Sequence, residues 1–455
     1  MTNIEASAAK RATRTFTCSD ITPDEMDAFS ATHPQGNFQQ ASGMGRVRQA
    51  NGVAVSYLGF YENGELVAAT QFEVHGHGLG TFAEVHDGPL TDFHDRELTS
   101  YVFSQLRVRA KAAGAAQLVV TPEKPYRTRN SAGEPLDAEG ASLAGVPAGV
   151  ETGPDDEGIA SITSCGLAHE GFPVGYQAVP RWRYLKDLTG LTDDKALLAS
   201  YSKNTKRNVR IAHDNGVVVR RIGRDELGLF HDICELSCEK QGFENKPVSY
   251  FEQIYDAMGD AAEFNVAFID TAEHLAIWEK KRDAFAADIA KLEKSLETAR
   301  TPEKVERKLA DVRKKHEAAL RRIETAHEYE TVGAHIPAAA ALFIWHPREC
   351  VYLFSGSDAT YAKFYAATAI QHHVMGECIE RGCTRYNFYG INGVFDDPND
   401  PGRGLLEFKQ GFEGYVEELM GYFEMPVRPA VYAAKRLLLM IVSMLASSKL
   451  SMLYS

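Results

Sequence analysis

Apolar and polar residues alternate over 56–61, 65–74 and 117–121, the period of half-buried strands, whereas 98–113 repeats at helical spacing and stops at Gly114. Residues 1–14 precede any pattern and read as a mobile tail. Residues 122–162, rich in Pro, Gly, Ser, Ala and acids, show little period and read as a long surface loop or partly disordered insertion. Regularity returns with an alternating strand at 181–188, a helix over 193–215 closed by Gly216, and a strand at 217–222. Helices over 225–241 and 248–258 and a strand at 263–269 follow.

A seven-residue period then takes over. Leu275, Arg282, Ile289 and Leu296 recur every seven positions, and Trp278, Phe285, Leu292 and Ala299 repeat three residues later. Past Thr301-Pro302 a second register runs through Val305, Val312, Ala319 and Ala326, accompanied by Leu309, His316 and Ile323. Two heptad helices joined by a short Pro-containing turn form an antiparallel coiled-coil hairpin over 272–330, with Thr301 as N-cap and Pro302 in the first turn. Strands at 338–345 and 351–355, a helix over 358–382 and the aromatic strand Tyr386-Asn387-Phe388-Tyr389-Gly390-Ile391 come after it. The hairpin is therefore inserted between two strands of one domain.

At 455 residues the chain exceeds one ordinary core, so two or three domains are expected. With 44% hydrophobic and 24% charged residues it reads as soluble and globular. A net charge of −13 argues against a general polyanion-coating protein and leaves room for a local basic site. The arm is that basic part: 278–326 holds 14 Lys/Arg against 10 Asp/Glu, a surplus of +4, so the remainder carries −17. A basic rod can lean on a phosphate backbone, and a solvated dimerisation arm has the same composition.

Seven cysteines without paired CxxC spacing, and with no secretory signal ahead of them, indicate reduced thiols in the cytoplasm. Cys234 and Cys238 stand at i, i+4 without a companion His or Cys pair, so no metal site is expected. No uncharged apolar run reaches 18 residues, which excludes a clear transmembrane span. The nearest approach is 430–455, where Leu437–Val442 is flanked by Lys435, Arg436 and Lys449. It reads either as a helix docked on the core or as an interfacial helix on the inner face of an anionic membrane.

The densest candidate chemistry is Leu405-Leu406-Glu407-Phe408-Lys409-Gln410-Gly411-Phe412-Glu413-Gly414. Aromatic walls desolvate an ammonium and fix its direction, which suits a cation that meets developing negative charge. A lysine on a strand edge between core phenylalanines fits the same residues. Lys203, Lys206, Arg207 and Arg210 form a second basic group at a helix start.

In order along the chain, several segments resemble the motifs of the FemABX family of aminoacyl-tRNA-dependent peptidyltransferases. They are His33-Pro34-Gln35-Gly36-Asn37-Phe38-Gln39-Gln40-Ala41, Gly88-Pro89-Leu90-Thr91-Asp92, 203–217, Tyr386–Ile391 and 404–412. Met44 stands where the family usually has Trp, and Arg48 where it has a phosphate-binding Lys; Arg48 keeps the charge and can chelate phosphate. The resemblance implies an α/β (α+β) fold of two tandem GNAT-like acyltransferase domains at 15–180 and 181–420, with the coiled coil in the second. Residues 421–455 would return to the first domain.

The implied activity is transfer of an amino acid from aminoacyl-tRNA to an amine of a peptidoglycan precursor, either lipid II or the UDP-linked muramyl pentapeptide. An activated ester needs no cofactor. Lys409, oriented by Phe408, would stabilise charge on the carbonyl oxygen or the tRNA 3′ end. Arg48, Lys206, Arg207 and Arg210 would hold the diphosphate of the recipient. Asp92 would accept the amine proton, or cap the helix that follows it. Tyr352 and Tyr361 would line the cleft, or pack in the core. Two other classes stay open. Gln40-Ala41-Ser42-Gly43-Met44-Gly45 matches an acyl-CoA pyrophosphate loop, which would make an acyl-CoA-dependent GNAT-type N-acyltransferase. The arm and the C-terminal helix alone would make a non-catalytic coiled-coil membrane scaffold.

Overall fold

The computed structural model describes residues 14–241 and 244–437; the tail at 1–13 and the apolar stretch 438–455 lie outside the described residues. The first part of the chain forms β1 (Phe16–Asp20), α1 (Pro23–Thr32), α2 (Ser42–Ala50), β2 (Ala54–Glu62), β3 (Glu65–His75) and β4 (Phe82–His86). It continues as α3 (Arg96–Ala112), β5 (Gln117–Thr121), β6 (Pro125–Asn130), α4 (Asp156–Ser164) and β7 (Ala168–His169). Next come β8 (Trp182–Asp187), α5 (Asp194–Ala199), α6 (Lys203–His213), β9 (Val217–Arg221), α7 (Leu227–Gln241), α8 (Val248–Met258) and β10 (Ala262–Asp270). The arm is α9 (Thr271–Leu296) and α10 (Pro302–Val332). The chain closes with β11 (His335–His346), β12 (Glu349–Ser357), α11 (Ala366–Glu380), β13 (Arg385–Ile391), α12 (Arg403–Gln410), β14 (Tyr415–Leu419) and β15 (Phe423–Pro426).

Two mixed sheets result, ordered β1-β2-β3-β4-β5-β15-β7 and β6-β14-β8-β13-β12-β11-β10-β9. Each takes a strand from the far side of the chain. β6 leaves the first sheet to pair with β14, and β15 returns to lie between β5 and β7. The boundary expected near residue 180 thus divides the sequence but not the sheets.

Local chemistry explains the frame. Thr22 and Glu25 close a capping box ahead of α1, with Pro23 in its first turn. Asn63 and Gly64, both at positive φ, turn β2 into β3. Leu98, Val102, Phe103 and Leu106 of α3 fill the first core against Leu58, Phe72 and Val85. The second sheet is covered on both faces. α11 and α6 pack on one side, while α7 and α8 pack on the other together with Phe38, Met44 and Val47 from the first half. Met44 is therefore an apolar contact between the halves.

The arm follows its heptads. The seven expected seam positions on α9, and Ala299 just beyond it, are all partly covered, and on α10 Leu309, Ala319, Ile323 and Ala326 are buried. Arg313 reaches Glu293 and Arg322 lies over Trp278, so the helices run antiparallel. Thr301 sits at the N-cap but its hydroxyl makes no capping bond.

Four expectations need correction. Residues 122–162 contain β6 and α4 rather than only loop. β6 is hydrophilic because its partners are charges and a ring, Arg129 bonding Glu418 and lying over Trp182. The helix expected over 193–215 breaks at Ser202, which caps α6 by accepting from Thr205 N. The helix expected from 358 starts at Ala366, after a 3-10 turn and the left-handed residue Tyr365. Finally, Lys409 lies in a helix, α12, and not on a strand edge.

Candidate active site

α12 is amphipathic, and the two residues it buries are Leu406 and Lys409. Lys409 is 2% exposed. Its Nζ donates to the Gly390 carbonyl at 2.6 Å, and no carboxylate pairs with it among the described residues. Burial alone pulls this amine down to about 7, because the ammonium has lost its water without gaining a counter-charge. Phe408 is half-buried against Phe412, with ring centroids 5.5 Å apart, and Phe412 leads on to Phe388 at 5.3 Å.

The chain leaves α12 at Gly411, where a side chain would collide with the Thr205 hydroxyl of α6. The Gly411 carbonyl accepts from Ser202 N at 3.0 Å, locking the end of α12 to the start of α6. Lys203, Lys206, Arg207 and Arg210 fall on one side of α6. Arg207 and Arg210 are exposed, Lys206 is half-buried, and none forms an ion pair among the described residues. A free basic helix face is thereby set beside the helix of the buried lysine.

β13 supplies the acceptor. Its pairing with β8 slips between Asn387 and Gly390, and Tyr389 takes a left-handed backbone, φ 62°. Tyr389 N donates to Asn387 Oδ1 at 2.8 Å, and its ring lies 5.2 Å from the Arg183 guanidinium. Arg183, fully buried, bonds both Asp87 and Glu123 across the two sheets. These carboxylates hold Arg183 cationic, while burial pushes Glu123 up. Arg385 is clasped in the same way by Glu349 and Glu417, and Arg181 with Arg129 by Glu418.

Arg48 stands at the other end of this polar seam. Its Nε lies 3.1 Å from Glu73 Oε2, and its other nitrogens donate to the Gln39 carbonyl at 3.0 Å and Gln39 Oε1 at 2.6 Å. The guanidinium is already committed to protein acceptors, unlike the α6 cations. Glu73 and Glu84 face one another on β3 and β4, with His75 Nε2 at 3.1 and 3.2 Å from them. The hydrogen bond to Glu73 raises the His75 pKa, while burial and the Glu73 charge raise that of Glu84. Among the described residues this is the group whose donor atoms cluster closely enough to hold a metal, all within 4.8 Å.

The remaining candidates scatter. Asp92 is exposed and accepts from His94 N, and the cap of α3 is Asp95, which accepts from Leu98 N. Tyr352 is core, stacked on Phe343 at 5.5 Å with its hydroxyl on Ser355. Tyr361 packs at the foot of the arm near Tyr329 and Phe364. The structure thus sets Lys409 and Phe408 on the helix that abuts the start of α6, whereas Asp92 lies ahead of α3, Tyr352 is in the core, and Tyr361 belongs to the 3-10 turn that touches α6. Sequence reasoning quoted Tyr389 and Gly390 without giving them a task. The signal was a bulky residue beside glycine in an otherwise regular aromatic strand. Gln39, Arg183 and the Glu73–His75–Glu84 group went unassigned, since only the fold brings them near one another.

The fold, two mixed sheets that exchange strands, is similar to that of a crystal structure of FemX. That chain is 22% identical, the match covers 92% of this chain and 99% of FemX, and the TM-score is 0.74, a likeness of fold. The family model described as the FemAB family matches residues 21–439, and the chain belongs to that family. It is similar to the aminoacyltransferase FemA of Staphylococcus aureus strain N315, 26% identical over 421 residues that span 91% of this chain and 96% of FemA. FemA of strain Mu50 matches to the same extent.

Proposed function

We propose that this chain, an aminoacyltransferase of the FemAB family, moves an amino acid from aminoacyl-tRNA to an amine of a peptidoglycan precursor and so builds the interpeptide bridge. The observation that carries this reading is Lys409, a buried amine with a carbonyl partner and no counter-ion. The amine of the recipient attacks the ester carbonyl, a C–N bond forms and the C–O bond to the ribose breaks. The amine gives up one proton and the ribose oxygen gains another from Lys409, which solvent reprotonates, so the protons balance overall. An ammonium poised near neutrality can meet the tetrahedral oxyanion and supply the proton to the leaving oxygen. Phe408 orients it.

The free cations Lys206, Arg207 and Arg210 suit the diphosphate of the recipient, whether lipid-linked or UDP-linked. Arg48 would join them only by giving up Gln39 or Glu73. Asp92 is the candidate acceptor of the amine proton, being exposed and bonded only through one backbone N–H. At the foot of the arm, Lys281 and Arg322 lie over Trp278, and Lys363 over Tyr329, a mixture of cations and ring faces that suits the tRNA acceptor end. We assign the reaction to the cytoplasmic side, with 430–455 as a peripheral contact to the membrane; no helix among the described residues is long and apolar enough to cross one.

The acyl-CoA alternative meets an obstacle. The start of α2, where its pyrophosphate would bind, is filled by Asp27, which accepts from Ser42 N at 2.6 Å and from the Ser42 hydroxyl. The residues before α2 form a 3-10 turn rather than a strand. The test is a transfer assay with tRNA carrying labelled amino acids and lipid II or the UDP-linked pentapeptide, read by mass spectrometry. A mass increment on the precursor is expected. Silence on both recipients, with saturable acyl-CoA binding, would overturn the reading.

A further inference from the structure

We infer that Tyr389 is a positioning residue, one that aims Lys409; the inference rests on the transfer reading above. A bulky residue in the left-handed region is uncommon, because its Cβ crowds the following carbonyl, and glycine is the usual occupant. Here the left-handed residue is Tyr389, φ 62°, and the glycine follows it. The backbone is held in this shape from several sides. Tyr389 N donates to Asn387 Oδ1 at 2.8 Å, and Asn387 Nδ2 is anchored on Glu349 at 3.1 Å. The ring is gripped between Phe38, with centroids 6.1 Å apart, and the buried Arg183 guanidinium at 5.2 Å. A ring clamped in this way over-determines a conformation the chain would otherwise abandon.

The outcome of that conformation is the direction of one carbonyl. At the slip in pairing between Asn387 and Gly390, the Gly390 oxygen turns to accept Lys409 Nζ at 2.6 Å. This is the acceptor of Lys409 among the described residues, so the 390–391 peptide, set in place by the left-handed Tyr389 before it, decides where the amine points and how well its charged form is held.

The clamp on the ring is therefore what the Lys409 titration reads. Full-length protein labelled at lysine Cε is titrated by NMR, with Lys409→Met used to assign the resonance, and transfer is measured over the same pH range. Tyr389→Phe keeps the ring in the clamp and should titrate Lys409 at the wild-type midpoint. Tyr389→Ala loses the clamp. Its Lys409 midpoint should drop by about one pH unit or more, the size of a lost hydrogen bond to a charged group, and the alkaline limb of kcat should move with it. An Ala variant with an unmoved midpoint overturns the inference, as does a Phe variant whose midpoint falls as far as that of Ala. Should the Ala variant not fold, Tyr389→Leu, which loses the ring face over Arg183, is read against the same midpoint and must show the drop. A wild type that transfers nothing, yet shows the Ala shift, sinks the transfer reading and leaves the positioning intact.

Discussion

Lys409 makes opposite demands on stability and on chemistry. The unfolded chain keeps this ammonium up to about pH 10.5, whereas the folded chain sheds it near 7. Between those values the unfolded state binds more protons, so stability rises with pH across the window. Lys409→Met should therefore raise the melting temperature by a few degrees, more at pH 6 than at pH 9, while transfer falls about 100–1000-fold. Calorimetry at the two pH values and single-turnover transfer check both arms; a variant that loses stability or keeps its rate would refute the role. The free cations of α6 predict a different signature. Arg207→Ala with Arg210→Ala should leave the fold unchanged, raise the KM of the phosphate-bearing recipient and flatten its salt dependence, as measured by transfer at two ionic strengths.

At the scale of elements, the arm is the most detachable part. Asp270 and His335, which flank it, are direct partners in the β10–β11 ladder. Replacing 272–332 with a short turn should preserve the cooperative unfolding of the remainder, seen by circular dichroism, and raise the KM for charged tRNA if the foot of the arm meets the acceptor end. The arm was also the most legible element. Beyond Trp278, whose indole N–H donates to Asn215 Oδ1, its seam faces its own partner helix, so a seven-residue period maps directly onto burial. β6 was illegible for the converse reason: its pairing depends on Glu418 and Trp182, distant in sequence, and nothing local marks it as a strand. α12 was misread because Phe408 and Phe412 look like strand residues until Gly411 is seen pressed against α6. The site was half readable. Lys409 and the α6 cations stand in local motifs, but Tyr389, Gln39 and Arg183 acquire a task only when the two sheets meet.

For the whole molecule, the junction of the sheets rests on buried charge. Arg183 spans from β8 to Asp87 and Glu123, and Arg183→Met would strand both carboxylates. Loss of about 3–5 kcal/mol in urea unfolding is expected, with the two halves still melting together. The exchange of β6 and β15 between the sheets bears on how the protein is made. At roughly 5–20 residues per second, a ribosome needs tens of seconds to pass from β5 to the strand that lies beside it. β15 occupies 423–426, near the end of the 455-residue chain. Until it emerges, Val120 and Leu118 of β5 present an open edge to the cell. The nascent chain therefore finishes its first half last, and premature termination anywhere upstream of β15 leaves an exposed strand for chaperones or proteases to find.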